Sequence, residues 1–267
     1  MSTEQEQHGG IFTGRLWKRV ALNMLRRDGI ARMPPMPDSL LSKYTDYLQD
    51  KQVWNAHVIP KATEPPTLLR TALREKRWPM MCHSMTDIVL APFILETAIG
   101  MYDVARAYFD GEQPRLYSLN AFWTQPAGGP KYQDTHGWHR DCDDRKQMVM
   151  FMYGTSVEQT TNGAHMYQKG THRIADAALG RDFRAPPYDV IETMVGPAGT
   201  LFLADTNGLH MGLRPDQPRM LTWARFGVSN PPNSYKWDEL QPVPKEMIGN
   251  RYPRSAELQD AIKLVVQ

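Results

Sequence analysis

Cysteine is nearly absent: Cys82 and Cys142 are the two in 267 residues. Two thiols cannot build a disulfide framework, so a stapled secreted scaffold is excluded and a reducing compartment is expected. Long apolar runs are missing too, and no segment reaches the roughly 20 residues that a membrane-spanning helix needs. The opening residues, MSTEQEQHGG, are polar and lack the apolar centre of a signal peptide. The expectation is a cytoplasmic protein without a membrane partner. An excess of one charge is also lacking. With 31 basic and 29 acidic side chains the formal net charge is +2, which leaves no electrostatic footprint for nucleic acid. Internal repeats and low-complexity tracts do not occur.

What is present is ordinary for a folded protein: 41% hydrophobic and 22% charged residues. The length suits a single domain, 1–267, with a sizeable core. Three parts are expected within it: a mostly helical part over 1–110, a β core over 111–230 and an extension over 231–267. In the first part, helical spacing runs from Thr13 to Arg27, from about Asp38-Ser39 to Asp50, from Thr67 to Lys76 and from Ile88 to Phe109. The basic amphipathic pattern of the first helix suits a docked helix with a solvated outer face better than one lying on an anionic surface. The pattern then changes. RLYSLNAFWTQP (115–126) is aromatic and β-prone, and KQMVMFMYGT (146–155) is an almost continuous apolar run of the kind a buried strand shows. GAHMYQKG, VIETMV, GTLFLADT and PRMLTWARFGV follow between turn signals. Short strands at this spacing predict a mainly β fold with flanking helices, a jelly-roll or cupin-like double-stranded β-helix. A last helix is expected from Ser255 to Val266.

The chemistry centres on His139-Arg140-Asp141. In an extended strand, residues two apart share a face, so an imidazole nitrogen and a carboxylate oxygen can meet at one point. A second histidine from a distant strand, His210, completes a two-His-one-carboxylate set. Such a set suits non-haem Fe(II) and leaves coordination positions open. His136 is a rival ligand three residues before His139, but Gly137 and the preceding PAGGP make the helix it would need improbable. His165 and His172 also fall in the strand region and read as packed or hydrogen-bonded structural residues. Cys142 reads as a small buried residue rather than a nucleophile.

Four stretches carry a family resemblance: GWHRD (137–141), NGAHMYQKGTHR (162–173), GPAGTLFLADTNGLHMG (196–212) and RMLTWARFGV (219–228). In this order they resemble the motifs of the phytanoyl-CoA dioxygenase family of Fe(II)- and 2-oxoglutarate-dependent oxygenases. LRRDGIARMPP near the start is similar to the family's N-terminal Asp-Gly helix end. The resemblance implies iron ligation by His139, Asp141 and His210, with 2-oxoglutarate and O2 as co-substrates. It implies Arg219, nine residues after His210, as the clamp on the distal carboxylate of 2-oxoglutarate. A planar guanidinium in a barrel grips a carboxylate through two charge-assisted hydrogen bonds. Arg225 shares strand parity with Arg219 and competes for that role, whereas Arg214 sits in the turn RPDQP and is expected to face water. The family's extra hydroxyl is missing here, since its places hold Gly212 and Leu221. Asn120, Thr124 and Tyr117 are the candidates for a second carboxylate partner. Trp223 could line the pocket, and Trp138 could orient the neighbouring ligand.

The implied reaction is hydroxylation of an unactivated C–H bond of a small molecule, with succinate and CO2 released. Asp141 argues against halogenation, because the related halogenases lack this carboxylate. Two other classes stay open: a non-oxidative cupin-like isomerase or lyase, and a binding module without chemistry. The substrate is not legible. Lys131, Arg145, Lys146 and Arg173 offer only a hint of a carrier- or CoA-linked one.

Overall fold

A computed structural model describes residues 15–56, 64–126, 137–173, 182–183, 190–229 and 242–267. The first half supplies helices α1 (Arg15–Asp28), α2 (Asp38–Gln49), α3 (Leu69–Glu75), α4 (Met85–Leu90), α5 (Ile94–Gly100) and α6 (Tyr102–Tyr108). Short strands lie among them: β1 (Ile30–Arg32), β2 (Gln52–Asn55), β3 (Thr67–Leu68) and β4 (Met80–Cys82). The β-rich part holds β5 (Arg115–Thr124), β6 (Trp138–His139), β7 (Gln147–Tyr153), β8 (His165–Gln168) and β9 (Asp182–Phe183). It continues with β10 (Ile191–Met194), β11 (Leu201–Ala204), β12 (His210–Gly212) and β13 (Arg219–Gly227). Helices α7 (Lys245–Ile248) and α8 (Ala256–Ile262) close the chain.

The strands form an eight-stranded sheet, ordered β1-β11-β7-β13-β5-β4-β2-β3, and a five-stranded sheet, ordered β10-β8-β12-β6-β9. Their pairings are antiparallel. This is the expected double-stranded β-helix with flanking helices.

Side-chain alternation divides the interior into two layers. Met148, Met150 and Met152 of β7, Leu201 and Leu203 of β11, and Met220 and Ala224 of β13 pack outward against α1, α2, α5 and α6. Their neighbours Val149, Phe151, Tyr153, Phe202 and Leu221 turn inward and meet Tyr167 and Met194 of the smaller sheet. All seven residues of β7 are buried, because both faces are covered. That explains the unbroken apolar run in its sequence.

The helical part differs from expectation in two ways. The helix expected over Ile88–Phe109 is three helices. Pro92 lacks an N–H and forces Ala91 into extended backbone (ψ 143), and Phe93 follows with φ 67. A second break falls at Met101, which ends α5 and precedes α6. The region before residue 110 is also not only helical: β1 borders one edge of the large sheet, and β2, β3 and β4 extend the other. Strands of two to four residues are too short for periodicity to reveal. At the start of α2 the cap position is Pro37, not Asp38 or Ser39, and it makes no side-chain cap hydrogen bond. Among the described residues no helix is long and apolar enough to cross a membrane.

Candidate active site

His139 on β6 and His210 on β12 face each other directly across an antiparallel pairing, with ring centroids 4.3 Å apart. Each ring is tethered to the carbonyl two residues before it: His139 Nδ1 lies 2.8 Å from the Gly137 oxygen, and His210 Nδ1 lies 2.9 Å from that of Gly208. A carbonyl only accepts, so each Nδ1 carries the hydrogen and each Nε2 is left as a lone-pair donor. The two Nε2 atoms stand 3.7 and 3.8 Å from Asp141 Oδ1. Among the described residues these three side chains form a group whose ligand atoms lie within 4.8 Å of one another, close enough to share a metal ion.

The strand itself stops at His139. Asp141 is placed by its own backbone, whose N–H donates to the Thr206 carbonyl at 2.9 Å. The chain beyond it is fixed as firmly. Asp143 and Asp144 donate their backbone N–H groups to Gln147 Oε1 at 3.1 and 3.2 Å, while Gln147 Nε2 donates to Thr206 Oγ1 at 2.9 Å. Asp144 Oδ2 accepts from the N–H groups of Val228 and Ser229, each at 2.8 Å, tying this turn to the end of β13. Sequence reading missed this network. The only trace of it was the row of acids after His139.

Arg225 faces the acids. Its Nη2 lies 3.5 Å from Asp141 Oδ2, and its Nη1 donates to Asp143 Oδ2. Burial alone would raise the Asp141 carboxyl, but Arg225, His210 and His139 outweigh it and hold the group down to about 2. Burial lowers His210 to about 4 against the pull of Asp141. Asp141 is thus held as carboxylate and His210 as neutral imidazole, the protonation states in which these side chains ligate metal.

Arg219 has the opposite environment. It opens β13 opposite Thr124 of β5, and it is buried. Its Nη1 donates to the Gly163 carbonyl, and Nη2 lies 3.5 Å from Thr124 Oγ1. Nε has no hydrogen-bond partner among the described residues. Among the described residues no carboxylate lies within ion-pair range of it, and burial lowers its pKa, with Tyr153 the sole group pulling the other way. Parity could not separate the two arginines. The acids opposite one of them do.

The other candidates fall into place around these groups. Thr124 is the one brought beside Arg219. Asn120 lies across from Trp223 and donates to Ser118 Oγ. Tyr117 sits at the bulge of β5, with its hydroxyl 3.5 Å from Asp143 Oδ2, at the far end of the strand from Arg219. Trp223 stacks on Phe122 at 4.3 Å with an 8° tilt and carries Arg225 over its ring. Trp138 pairs with Phe183 beside His139. His172 reaches back to the Arg26 carbonyl at 3.3 Å, and it is Thr171 Oγ1 that secures the turn, accepting from Leu209 N–H at 2.8 Å. Arg214 is half-buried rather than facing water. Cys142 is a correction: its backbone takes φ 54 in the turn after Asp141, and the side chain is exposed, not buried. Of the basic residues suggested for a carrier-linked substrate, Arg145 and Lys146 are already paired with Glu112 and Asp110 at 2.9 Å. His136, Lys131, most of 126–136 and 174–187, and the Pro-rich stretch from Pro231 to 241 lie outside the described residues.

No family model and no curated protein matches the chain. Solved structures do match. The non-haem 2-oxoglutarate-dependent epimerase SnoN of nogalamycin biosynthesis shares 15% identity over 78% of this chain and 82% of its own, with a TM-score of 0.55. HygX from Streptomyces hygroscopicus, solved with nickel and 2-oxoglutarate bound, shares 11% over 79% and 87%, with a TM-score of 0.55. EvdO2 from Micromonospora carbonacea var. aurantiaca shares 16% over 78% and 89%, again at 0.55. Identities this low speak for fold, and the narrower phytanoyl-CoA dioxygenase resemblance has no matching family model behind it. The chain therefore shares its fold, a double-stranded β-helix, with these structures.

Proposed function

We propose that this protein is an Fe(II)- and 2-oxoglutarate-dependent oxygenase that hydroxylates a C–H bond of a small molecule and releases succinate and CO2. One observation carries the reading: a ready two-His-one-carboxylate set shares its barrel with a buried arginine that has no counter-ion among the described residues. A buried guanidinium without an anion is costly to a fold. Arg219 fits the distal carboxylate of 2-oxoglutarate as the missing partner, and Thr124 stands ready with a hydroxyl beside it. His139, Asp141 and His210 would hold the iron. The bound metal supplies O2 activation coupled to decarboxylation of the 2-oxo acid.

The chain's own residues have simpler tasks. Gly137 and Gly208 fix the ligand tautomers through their carbonyls. Arg225 keeps Asp141 ionised and aimed. Phe122, Trp223, Phe151 and Phe202 form a chain of ring contacts, and this apolar surface would keep water from the reacting atoms. HygX, with nickel and 2-oxoglutarate bound in the same fold, supports the co-substrate. SnoN is described as an epimerase and SnoK as a carbocyclase. Hydroxylation here is therefore judged by the product, which must be one oxygen atom heavier than the substrate.

The test is oxygen-dependent conversion of 2-oxoglutarate to succinate by the Fe(II)-loaded protein. His139→Ala, Asp141→Ala and His210→Ala should each abolish it while keeping most of the fold. Full turnover in any one of them would end the ligand assignment, and an absence of 2-oxoglutarate dependence would favour a non-oxidative cupin-like enzyme.

A further inference from the structure

His165 occupies an apolar setting that does not call for a histidine. It faces inward from β8, 4% exposed, with Phe151 at 4.9 Å and Phe202 at 5.2 Å between ring centroids. Its third neighbour is His210, stacked at 5.5 Å and 23°. The backbone there is fully engaged. His165 N–H donates to Tyr153 Oη at 2.9 Å, and that hydroxyl donates onward to the Met194 carbonyl at 2.8 Å. Tyr153 is thus committed on both sides. His165 Nε2 is buried and, among the described residues, has no hydrogen-bond partner. A leucine would fill this space without leaving a polar nitrogen unmatched, which a fold tolerates poorly.

The position along the chain says what the nitrogen is for. Two residues before it, the Gly163 carbonyl accepts from Arg219. One ring contact away, His210 offers its Nε2 to the metal site. His165 therefore stands between the metal ligands and the guanidinium, beside any molecule that spans the two. We infer that His165 is a further binding residue of the site, donating an Nε2–H hydrogen bond to an oxygen of the bound 2-oxo dicarboxylate. The inference rests on the proposed co-substrate. It explains why this position of the strand holds an imidazole, and it gives the site a donor that the missing hydroxyls at Gly212 and Leu221 do not provide. His165 is not a metal ligand, since it lies outside the group that can share an ion.

Binding separates this role from packing. Full-length protein loaded with Mn(II) in place of iron is titrated with 2-oxoglutarate by calorimetry, and thermal unfolding is followed with and without the co-substrate. His165→Leu should weaken 2-oxoglutarate binding about tenfold, the worth of one hydrogen bond to a charged acceptor. His165→Gln, which keeps a donor near the Nε2 position, should recover most of that loss. Mn(II) affinity should be unchanged in both, and the midpoint of His165→Leu without co-substrate should stay level or rise. Normal 2-oxoglutarate affinity in His165→Leu would overturn the inference, as would a lowered midpoint with an intact co-substrate shift. If His165→Leu does not fold, His165→Asn takes its place, and equal affinities in the Asn and Gln variants would count against the role. Should wild type bind no 2-oxoglutarate, the proposed function falls and this inference with it. If wild type binds, Arg219→Met loses binding and His165→Leu does not, the inference alone fails.

Discussion

Two arginines six residues apart on one strand face show how far sequence goes at the scale of a residue. Parity places both Arg219 and Arg225 inside the barrel, and what divides their roles is which groups the fold sets opposite. Arg225 meets Asp141 and Asp143, partners that only the turn after β6 brings near. Under the proposed function it acts on a metal ligand rather than on the co-substrate. Arg225→Met should therefore weaken metal binding by about 10- to 100-fold, measured by competition with a chelator. With metal saturating, it should change 2-oxoglutarate affinity less than Arg219→Met does. A metal affinity equal to wild type would contradict this division. Asp205 gives a second residue-scale prediction. Burial raises its carboxyl from 3.8 to about 6, against the hydrogen bond from Tyr108 at 2.6 Å. The folded state then binds this proton more tightly than the unfolded chain does. Its contribution to stability is complete below about pH 3.8 and is lost as pH rises through about 6. The loss is of order 2–3 kcal/mol. Asp205→Asn stays neutral, so its unfolding free energy should gain on wild type between pH 4 and 6 and then run parallel. A constant difference across that range would contradict the raised pKa.

At the scale of the element, the turn from Asp205 to Gly208 sets His210 in place. Gly208 N–H donates to the Asp205 carbonyl at 2.9 Å, and Tyr167 Oη donates to the same oxygen at 2.8 Å. A Cβ on Gly208 would overlap the Tyr167 hydroxyl. Tyr167 is fully buried and cannot step aside. Gly208→Ala should thus cost about 2 kcal/mol or more of stability in a denaturant titration and take metal binding with it. A variant as stable as wild type would show that the turn has room. The longer elements were legible because their patterns are long: β5, β7 and β13 lie where their aromatic and apolar runs stand. The two-residue β6 was found only through its chemistry, since no periodicity can show in two residues. The broken helix at Pro92 was readable in principle. A proline well inside a helical pattern forces the residue before it out of the helix, and here the apolar spacing on both sides concealed the break.

Across the whole molecule, the sheet order explains why residues so far apart in sequence meet. Strand β12 lies between β6 and β8, so His210 is paired with His139 on one side and with Tyr167 on the other. The opposite sheet presents β13 and β5, which carry both arginines and Thr124. The order of motifs along the chain was enough to suggest this arrangement. What lay beyond it was which side chains the pairing brings together: that His165 of β8 stacks on His210 of the neighbouring β12, and that Asp143 and not a substrate answers Arg225. The central claim is that the barrel holds a metal at one end of a dicarboxylate and Arg219 at the other. Anaerobic titration of the Fe(II)-loaded protein with 2-oxoglutarate tests it most directly, read by the weak visible charge-transfer band of the chelate. Wild type should give the band, and His210→Ala should not. Arg219→Met should give it only at about 10- to 150-fold higher 2-oxoglutarate, the loss expected for one charged hydrogen-bonded pair. No band in wild type, or an Arg219→Met titration that overlays wild type while Arg225→Met shifts by that amount, would contradict the account.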